Sequence, residues 1–353
     1  MRIFKRAVLV GQLQAVLPIV FLASLALYAI WPWLPLSELA GTRARSRTIV
    51  LYGFSILGAV IDDGVFPAFQ QEWQAQTGEH VELISSFAGS GTVTNQLSMG
   101  VPAQLALLSL ELDATRLAAA GVVPPQSWHK LPHNGIVNRT PFIILVRPGN
   151  PKNIRGFADL ARPGIGVVHP DPLQSGAANW AIVAEYGAGL RANAGRPEAG
   201  FDLLRGIWRN VVVQAPSARA ARTQFESGFG DALITYEQEA LWDKARGKLK
   251  LDVVYPRSTI LSEHTLVVVD RNIAPDERAL VNAFAVFLWS DKAQQLFVQY
   301  GFRSVDERLN AANTAFGNIA DPFLIDAVGG WQNAKRDIVD GVWENRVLKE
   351  LGQ

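Results

Sequence analysis

The chain has 353 residues, of which 49% are hydrophobic and 18% charged, with 33 Lys and Arg residues against 32 Asp and Glu residues. This composition excludes an intrinsically disordered protein, because such chains are poor in apolar residues and strongly charged. A formal net charge of +1 gives no field that would favour nucleic acid as a partner. The sequence contains no cysteine, so disulfides, thiolate metal sites and cysteine nucleophiles are excluded.

The first 46 residues differ in character from the rest of the chain. Three basic residues precede an uncharged apolar run at 7–30, and an aromatic cluster follows near its end, at Tyr28, Trp31 and Trp33. A basic start followed by an apolar stretch predicts an export signal, and the run approaches the roughly 20 residues that cross a bilayer. We expect residues 1–46 to be either a cleaved signal peptide or an N-terminal membrane anchor, and we favour the anchor. In both cases the rest of the chain lies outside the cytoplasm.

Short β-rich runs alternate with helical stretches from residue 48 onward. The predicted strands are Thr48–Gly53, His80–Ser86, Gln104–Leu110, Phe142–Arg147, Gly166–His169, Val211–Ala215 and Ala232–Tyr236. The predicted helices are Ile61–Thr77, Val93–Met99, Leu112–Ala120, Ala177–Leu190, Ala218–Ser227, Glu237–Arg246, Val281–Gln299 and Ile325–Asp337. Strands separated by helices predict parallel sheets covered on both faces, an α/β fold. At about 150 residues per domain, the length predicts two lobes.

Three of the predicted helices begin at a serine followed by small residues. The three segments are Gly89-Ser90-Gly91-Thr92, Ser175-Gly176-Ala177-Ala178 and Ser217-Ala218-Arg219-Ala220. Serine is a natural N-cap, and small neighbours let another group approach the first backbone N–H groups. A helix N-terminus offers unpaired donors and a partial positive charge, which favour an anion. Together the three segments predict either ordinary N-caps or a cradle for an oxyanion.

Sequence motifs for catalysis are not found. No Gly-x-Ser-x-Gly elbow surrounds a serine, and no phosphate-binding loop of the Gly-x4-Gly-Lys type is present. The histidines are scattered without metal-ligand spacing, at His80, His129, His133, His169 and His264. We therefore expect a protein that is not an enzyme and that carries neither metal nor cofactor.

Six segments, in order along the chain, carry a known family pattern: Pro141–Lys152, Phe157–Gly164, Asp171–Trp180, Asn210–Val213, Gly230–Leu241 and Gly329–Trp331. They resemble the sulfate-binding proteins of bacterial ABC-type sulfate/thiosulfate importers. The resemblance implies a type II periplasmic binding protein fold, with lobe 1 at 47–140 and 257–353 and lobe 2 at 141–256. It implies a two-strand hinge near Thr140–Val146 and Leu251–Pro256. It also implies a periplasmic protein that captures sulfate or thiosulfate and delivers the anion to ABC permease subunits.

The resemblance also assigns the anion contacts, residue by residue. The family's Gly-Ser-Gly turn falls on Ser90 and Gly91, its Ser-Gly-Gly helix start on Ser175, Gly176 and Ala177, and its third helix start on Ala218. Ala177 stands where the family usually has glycine. None of these positions is Asp or Glu, and a site made of donors suits an oxyanion that is fully ionised near neutral pH. Phosphate keeps a proton and needs a carboxylate acceptor, so we do not expect it.

Two further positions depart from the family pattern. Tyr236 stands where the sulfate-binding proteins have an indole donor, and Ser55 lies in a segment where they have an aspartate region. Both resemble the molybdate-binding relatives, in which a serine and a tyrosine hydroxyl reach the anion. Capture of molybdate or tungstate therefore stays open, as does an oxyanion sensor anchored to the inner membrane.

Overall fold

Eleven strands are present in residues 47–352, which are the residues that the computed structural model of the protein describes. The strands are β1 Arg47–Phe54, β2 Val81–Ala88, β3 Leu105–Leu108, β4 Ile136–Val146, β5 Val167–Pro170, β6 Val211–Ala215, β7 Ala232–Tyr236, β8 Asp252–Val254, β9 Ser258–Val268, β10 Arg303–Ser304 and β11 Asp321–Phe323. The predicted export segment, with the anchor expected at 7–30, lies outside the described residues. No helix within 47–352 has the length and apolar character needed to cross a membrane.

Helices connect and cover these strands. The α-helices are α1 Gly58–Val60, α2 Phe66–Thr77, α3 Ser90–Ser98, α4 Glu111–Ala119, α5 Phe157–Leu160, α6 Gly176–Ala192, α7 Pro197–Arg209, α8 Ala218–Glu226, α9 Glu237–Ala245, α10 Arg278–Phe287, α11 Asp291–Gln299, α12 Glu307–Ala312, α13 Gly330–Asn333 and α14 Lys349–Leu351. Two π-helical segments occupy Ile61–Val65 and Ala334–Leu348. Short 3₁₀ turns lie at Ser127–Lys130, Pro132–Gly135, Asp270–Asn272 and Ile325–Val328.

One group of strands is centred on β1. This strand pairs in parallel with both β2 and β3, and its residues Ile49 and Leu51 are fully buried. Burial on both faces is the expected environment of an apolar strand in a parallel sheet. Strand β3 pairs antiparallel with β9, which in turn pairs antiparallel with the first half of β4, up to Pro141 opposite Leu261.

A second group of strands begins where β4 changes partners. From Phe142 onward, β4 pairs antiparallel with β7, and Phe142 lies opposite Tyr236. Strands β7, β5 and β6 then pair in parallel, while β8 pairs antiparallel with the end of β4. The long strand β4 is therefore shared by the two groups, and Tyr236 lies next to the point where its pairing changes.

The structure corrects two predicted helices, Val281–Gln299 and Ile325–Asp337, and it contains several elements that were not predicted. In place of the second helix it has a 3₁₀ turn at Ile325–Val328, the short helix α13 and the start of a π-helical segment. The predicted helix Val281–Gln299 is two helices, α10 and α11, because the Ser290 hydroxyl accepts a hydrogen bond from the Ala293 N–H at 3.2 Å and starts a new helix. Helix α7 and strand β9 were not predicted. Two glycines, Gly200 and Gly206, weaken the helical pattern of α7.

The C-terminal segment packs on helices α6 and α7. Trp343 contacts Trp208 with their ring centroids 4.9 Å apart, and Trp331 contacts Trp180 at 4.4 Å. The guanidinium of Arg346 adds an ion pair with Glu198 at 3.1 Å. The end of the chain therefore packs against α7 and against α6, whose N-terminus lies at the site described next.

Candidate functional site

The turns that precede helices α3, α6 and α8 lie against one another. A Cβ atom placed on Gly89 would lie 2.4 Å from the carbonyl oxygen of Pro216 and 2.5 Å from that of Gln174. Gln174 directly precedes Ser175, and Pro216 directly precedes Ser217. The N–H of Gly91 also donates a hydrogen bond to the Gln174 carbonyl at 3.1 Å. Glycine at position 89 is therefore required for the close approach of the three turns.

The three serines at these turns play different roles. Ser217 is a true N-cap, because its hydroxyl accepts a hydrogen bond from the Ala220 N–H at 3.1 Å. Ser175 occupies the N-cap position of α6 in an extended conformation, without a side-chain capping bond. The prediction that Ser90 is an N-cap is wrong. Gly89 takes that position, and Ser90 is the first residue of α3.

Four buried residues at the three helix starts have a backbone N–H group with no hydrogen-bond acceptor among residues 47–352. They are Ser90, Gly176, Ala177 and Ala218. Buried backbone donors are almost always paired in folded proteins, so these four are available to a ligand.

Ser109 connects the N-termini of helices α3 and α6 to Tyr236. Its hydroxyl lies 2.8 Å from the Tyr236 hydroxyl, and its N–H donates a hydrogen bond to the Ser90 Oγ at 3.0 Å. Its carbonyl accepts a hydrogen bond from the Trp180 indole at 2.7 Å. A Cβ atom on Gly176 would lie 2.8 Å from the Ser109 Oγ, so α6 also needs a glycine to reach this position.

Sequence reasoning missed Ser109. The residue follows strand β3 and precedes helix α4, which is the same strand–serine–helix order as at the three predicted turns. A leucine, Leu110, rather than a small residue comes next, so the pattern used for prediction did not include it.

Tyr236 is fully buried between aromatic rings. Its ring centroid lies 4.6 Å from that of Phe142 and 6.1 Å from that of Phe54. Burial raises the pKa of the Tyr236 hydroxyl, because ionisation would place a charge in an apolar environment. The hydroxyl therefore keeps its proton near neutral pH and can donate a hydrogen bond.

Ser55 and the charged residues of α8 lie at the third helix start. The N–H of Arg219, next to Ala218, points to the Ser55 Oγ at 3.5 Å, the long limit of a hydrogen bond. The guanidinium groups of Arg219 and Arg222 both pair with the buried carboxylate of Glu239, at 2.9 and 3.2 Å. The arginines near this helix start are thus compensated by an acidic residue.

The structure brings the eight residues predicted as anion contacts into one connected group. Ser55 lies beside Ala218, the Ser90–Gly91 turn lies beside Ser175, and Gly176 reaches Tyr236 through Ser109. Two of the predicted donors are engaged by protein acceptors. The Ser90 hydroxyl donates to Asp113 at 2.5 Å, and the Gly91 N–H donates to Gln174. The Ser90 hydroxyl and the Gly91 N–H would each have to leave its protein acceptor in order to donate a hydrogen bond to an anion.

Comparison with known proteins places this fold in a class. Residues 63–303 match the family described as bacterial extracellular solute-binding protein. The sulfate-binding protein SubI from Mycobacterium tuberculosis H37Rv superimposes with a TM-score of 0.75 at 33% identity, over 82% of this chain and 99% of SubI. The mixed α/β fold is that of the periplasmic binding proteins.

Two relatives indicate a branch within the extracellular solute-binding proteins. A sulfate-binding protein of Salmonella typhimurium is 33% identical, over 76% of this chain and 83% of its own length. A sulfate-binding protein of Synechococcus elongatus is 29% identical, over 88% of this chain and 89% of its own length. The chain belongs to the bacterial extracellular solute-binding proteins, in the branch that contains the sulfate-binding proteins.

Proposed function

We propose that the protein captures sulfate or thiosulfate in the periplasm and delivers the anion to the permease subunits of an ABC importer. Relatives that are named sulfate-binding proteins support this function. The observation that supports this function most strongly is the set of four buried N–H groups, at three adjoining helix starts, that have no acceptor within residues 47–352. No covalent chemistry is part of the proposal.

A site of this kind can hold a dianion without a cationic side chain. Burying an anion is costly unless its oxygen atoms accept hydrogen bonds, and hydrogen bonds to charged acceptors are about twice as strong as neutral ones. The N–H groups of Ser90, Gly176, Ala177 and Ala218 supply four such donors, and the hydroxyls of Ser175 and Tyr236 supply two more. Helices α3, α6 and α8 each add the partial positive charge of an N-terminus.

Anion binding would close two lobes over the ligand. We assign residues 47–140 and 257–353 to lobe 1 and residues 141–256 to lobe 2. The change of partners within β4 supports a hinge near Thr140–Val146. Gly89 of lobe 1 contacts Gln174 and Pro216 of lobe 2, which is the contact that an opening motion would break. The permease would then recognise the closed form.

Calorimetric titration of the purified, anion-free protein with sulfate tests the proposed function. We expect saturable binding of one sulfate per chain, and a melting temperature that rises with sulfate concentration because the ligand binds the folded state. Chloride at equal ionic strength is the control and should have no comparable effect. The absence of saturable binding for sulfate, thiosulfate and molybdate would refute the proposed function.

Molybdate is the second candidate ligand, because Ser55 and Tyr236 both lie at the site. Competition calorimetry with sulfate and molybdate separates the two ligands. We expect sulfate to bind more tightly, and a preference for molybdate would reverse the choice of anion while leaving the site unchanged.

Replacing Tyr236 tests its role as a donor. Tyr236→Phe removes the hydroxyl and should weaken anion binding by about 1.5–3 kcal/mol, which is the usual cost of losing a hydrogen bond to a charged group. Tyr236→Trp restores one donor and should shift the preference toward sulfate. Tyr186→Phe, on the side of α6 that packs on Gly200, is the matched control and should bind as the wild type does. Unchanged affinity in Tyr236→Phe would remove the tyrosine from the site.

We also propose that residues 1–46 direct export and that residues 7–30 anchor the protein to the inner membrane. The apolar run behind three basic residues supports this role. The intact mass of the protein recovered from the cell envelope distinguishes an anchor from a cleaved signal. A mature protein that lacks the first 46 residues would refute the anchor.

A further inference from the structure

The Ser90 hydroxyl faces a carboxylate. It donates its proton to the Asp113 Oδ2 at 2.5 Å and accepts a hydrogen bond from the Ser109 N–H at 3.0 Å. A serine hydroxyl has one proton and two lone pairs. While Asp113 is ionised, Ser90 therefore has no proton to donate to an anion, and it presents a lone pair instead.

Asp113 is itself almost fully buried, with 4% of its surface exposed. Its second oxygen accepts a hydrogen bond from Arg116 at 3.2 Å. Burial raises the pKa of Asp113, against the lowering effects of the Ser90 hydrogen bond and of Arg116. Asp113 also lines a cavity of about 610 Å³, and we take this cavity as the route by which protons from the solvent reach the carboxyl group.

Within residues 47–352, the other charged groups around α4 form neither a hydrogen bond nor an ion pair with Asp113. They are Glu111 on α4 with its partner His129, Glu263 on β9, Asp171 before α6, and Lys335 and Glu344 across the cavity. Helix α3 carries no charged side chain, and its Asn95 accepts a hydrogen bond from Arg116 of α4 at 2.9 Å. Burial lowers the pKa of His264, which packs on Tyr236, to about 3, so this histidine stays neutral between pH 5 and 9.

We propose that Asp113 takes up one proton when the site binds a fully ionised oxyanion. The inference rests on the proposed function. The proton comes from the solvent, and the carboxylic acid then donates a hydrogen bond to the Ser90 Oγ. The Ser109 N–H keeps its bond to the same oxygen, and the Ser90 hydroxyl proton turns to the anion. Protonation also removes the repulsion between a carboxylate and a dianion. Asp113 is thus a positioning residue that acts through Ser90.

Proton uptake by Asp113 predicts how sulfate affinity changes with pH. The pKa of Asp113 is higher in the anion complex than in the free protein, so low pH favours binding. Sulfate affinity should be constant below the pKa of Asp113 in the free protein. Above that pKa, affinity should fall with a slope that approaches tenfold per pH unit.

Calorimetric titrations of the full chain with sulfate, between pH 5 and 9, test the inference. At each pH, buffers with different ionisation enthalpies report the number of protons taken up on binding. We expect an uptake that rises with pH toward one proton per anion, in parallel with the falling affinity. Sulfate binding without proton uptake across the whole range would overturn the inference and leave the proposed function standing. Failure to bind any oxyanion at any pH would overturn both.

Two variants isolate the groups involved. In Asp113→Asn, the amide can donate to the Ser90 Oγ as the protonated acid would, so we expect tight, pH-independent binding with no proton uptake. Ser90→Ala should bind at least tenfold more weakly at low pH, and its affinity should fall less steeply with pH than that of the wild type, because only the charge repulsion from Asp113 remains. An Asp113→Asn protein that melts normally yet keeps the wild-type pH profile would overturn the inference. If this variant does not fold, the proton count of the wild type decides alone.

Discussion

A Gly89→Ala variant is expected to bind sulfate about a hundredfold more weakly than the wild type while remaining folded. The added methyl group would lie 2.4 and 2.5 Å from the carbonyl oxygens of Pro216 and Gln174, and neither backbone atom can move aside as a flexible side chain could. Overpacking of this kind costs about 1–3 kcal/mol, and 1.4 kcal/mol is a factor of ten in affinity. Because the clash arises only when the three turns meet, an open form of the protein would escape it.

The control for this variant is Gly156→Ala. Gly156 has an extended backbone, and a Cβ atom there would have no neighbour within 4 Å. Titration calorimetry and thermal melting of both variants check the prediction. Equal sulfate affinity in Gly89→Ala and the wild type would show that the contact between the three turns plays no part in binding.

An Ala218→Pro variant should lose one backbone donor with little effect on the fold. Ala218 is the first residue of α8, a position where proline is well tolerated because its N–H has no partner within the helix. Ser217 already has the extended conformation that a following proline requires, with φ −158° and ψ 164°. A lost hydrogen bond to a charged acceptor costs about 1.5–3 kcal/mol, so sulfate should bind roughly 10- to 150-fold more weakly.

The matched control is Asp291→Pro. Asp291 is also the first residue of a helix, α11, and it also follows a serine N-cap in an extended conformation. It is exposed, and it follows the turn that separates α10 from α11. We expect Asp291→Pro to bind sulfate as the wild type does. An Ala218→Pro protein with wild-type affinity would show that the N–H at position 218 does not contact the anion.

Local sequence was sufficient to predict the three helix starts that adjoin at the candidate site. Small residues after Ser90, Ser175 and Ser217 mark positions where a close approach is possible, and the structure brings these positions together. The pairing of Ser90 with Asp113 could not be predicted in the same way. The two residues are 23 positions apart, and the contact depends on how α3 and α4 pack, which no local pattern specifies.

Competition between local preferences explains the other differences between the predicted helices and the observed ones. Serine is a good N-cap, but the extended backbone of Gly89 takes that position and leaves the Ser90 hydroxyl free for a tertiary partner. The apolar periodicity through Val281–Gln299 favours one helix, whereas the capping bond at Ser290 divides it. In both cases a single hydrogen bond or backbone angle decides between two structures that the residue pattern allows.

The central claim is that N–H groups at three helix starts hold one oxyanion. Titration of the ¹⁵N-labelled protein with sulfate, followed by amide NMR, tests it most directly. We predict that the amide signals of Ser90, Gly176, Ala177 and Ala218 all shift downfield and saturate with the same dissociation constant. Saturable sulfate binding that leaves these four signals in place would contradict the claim.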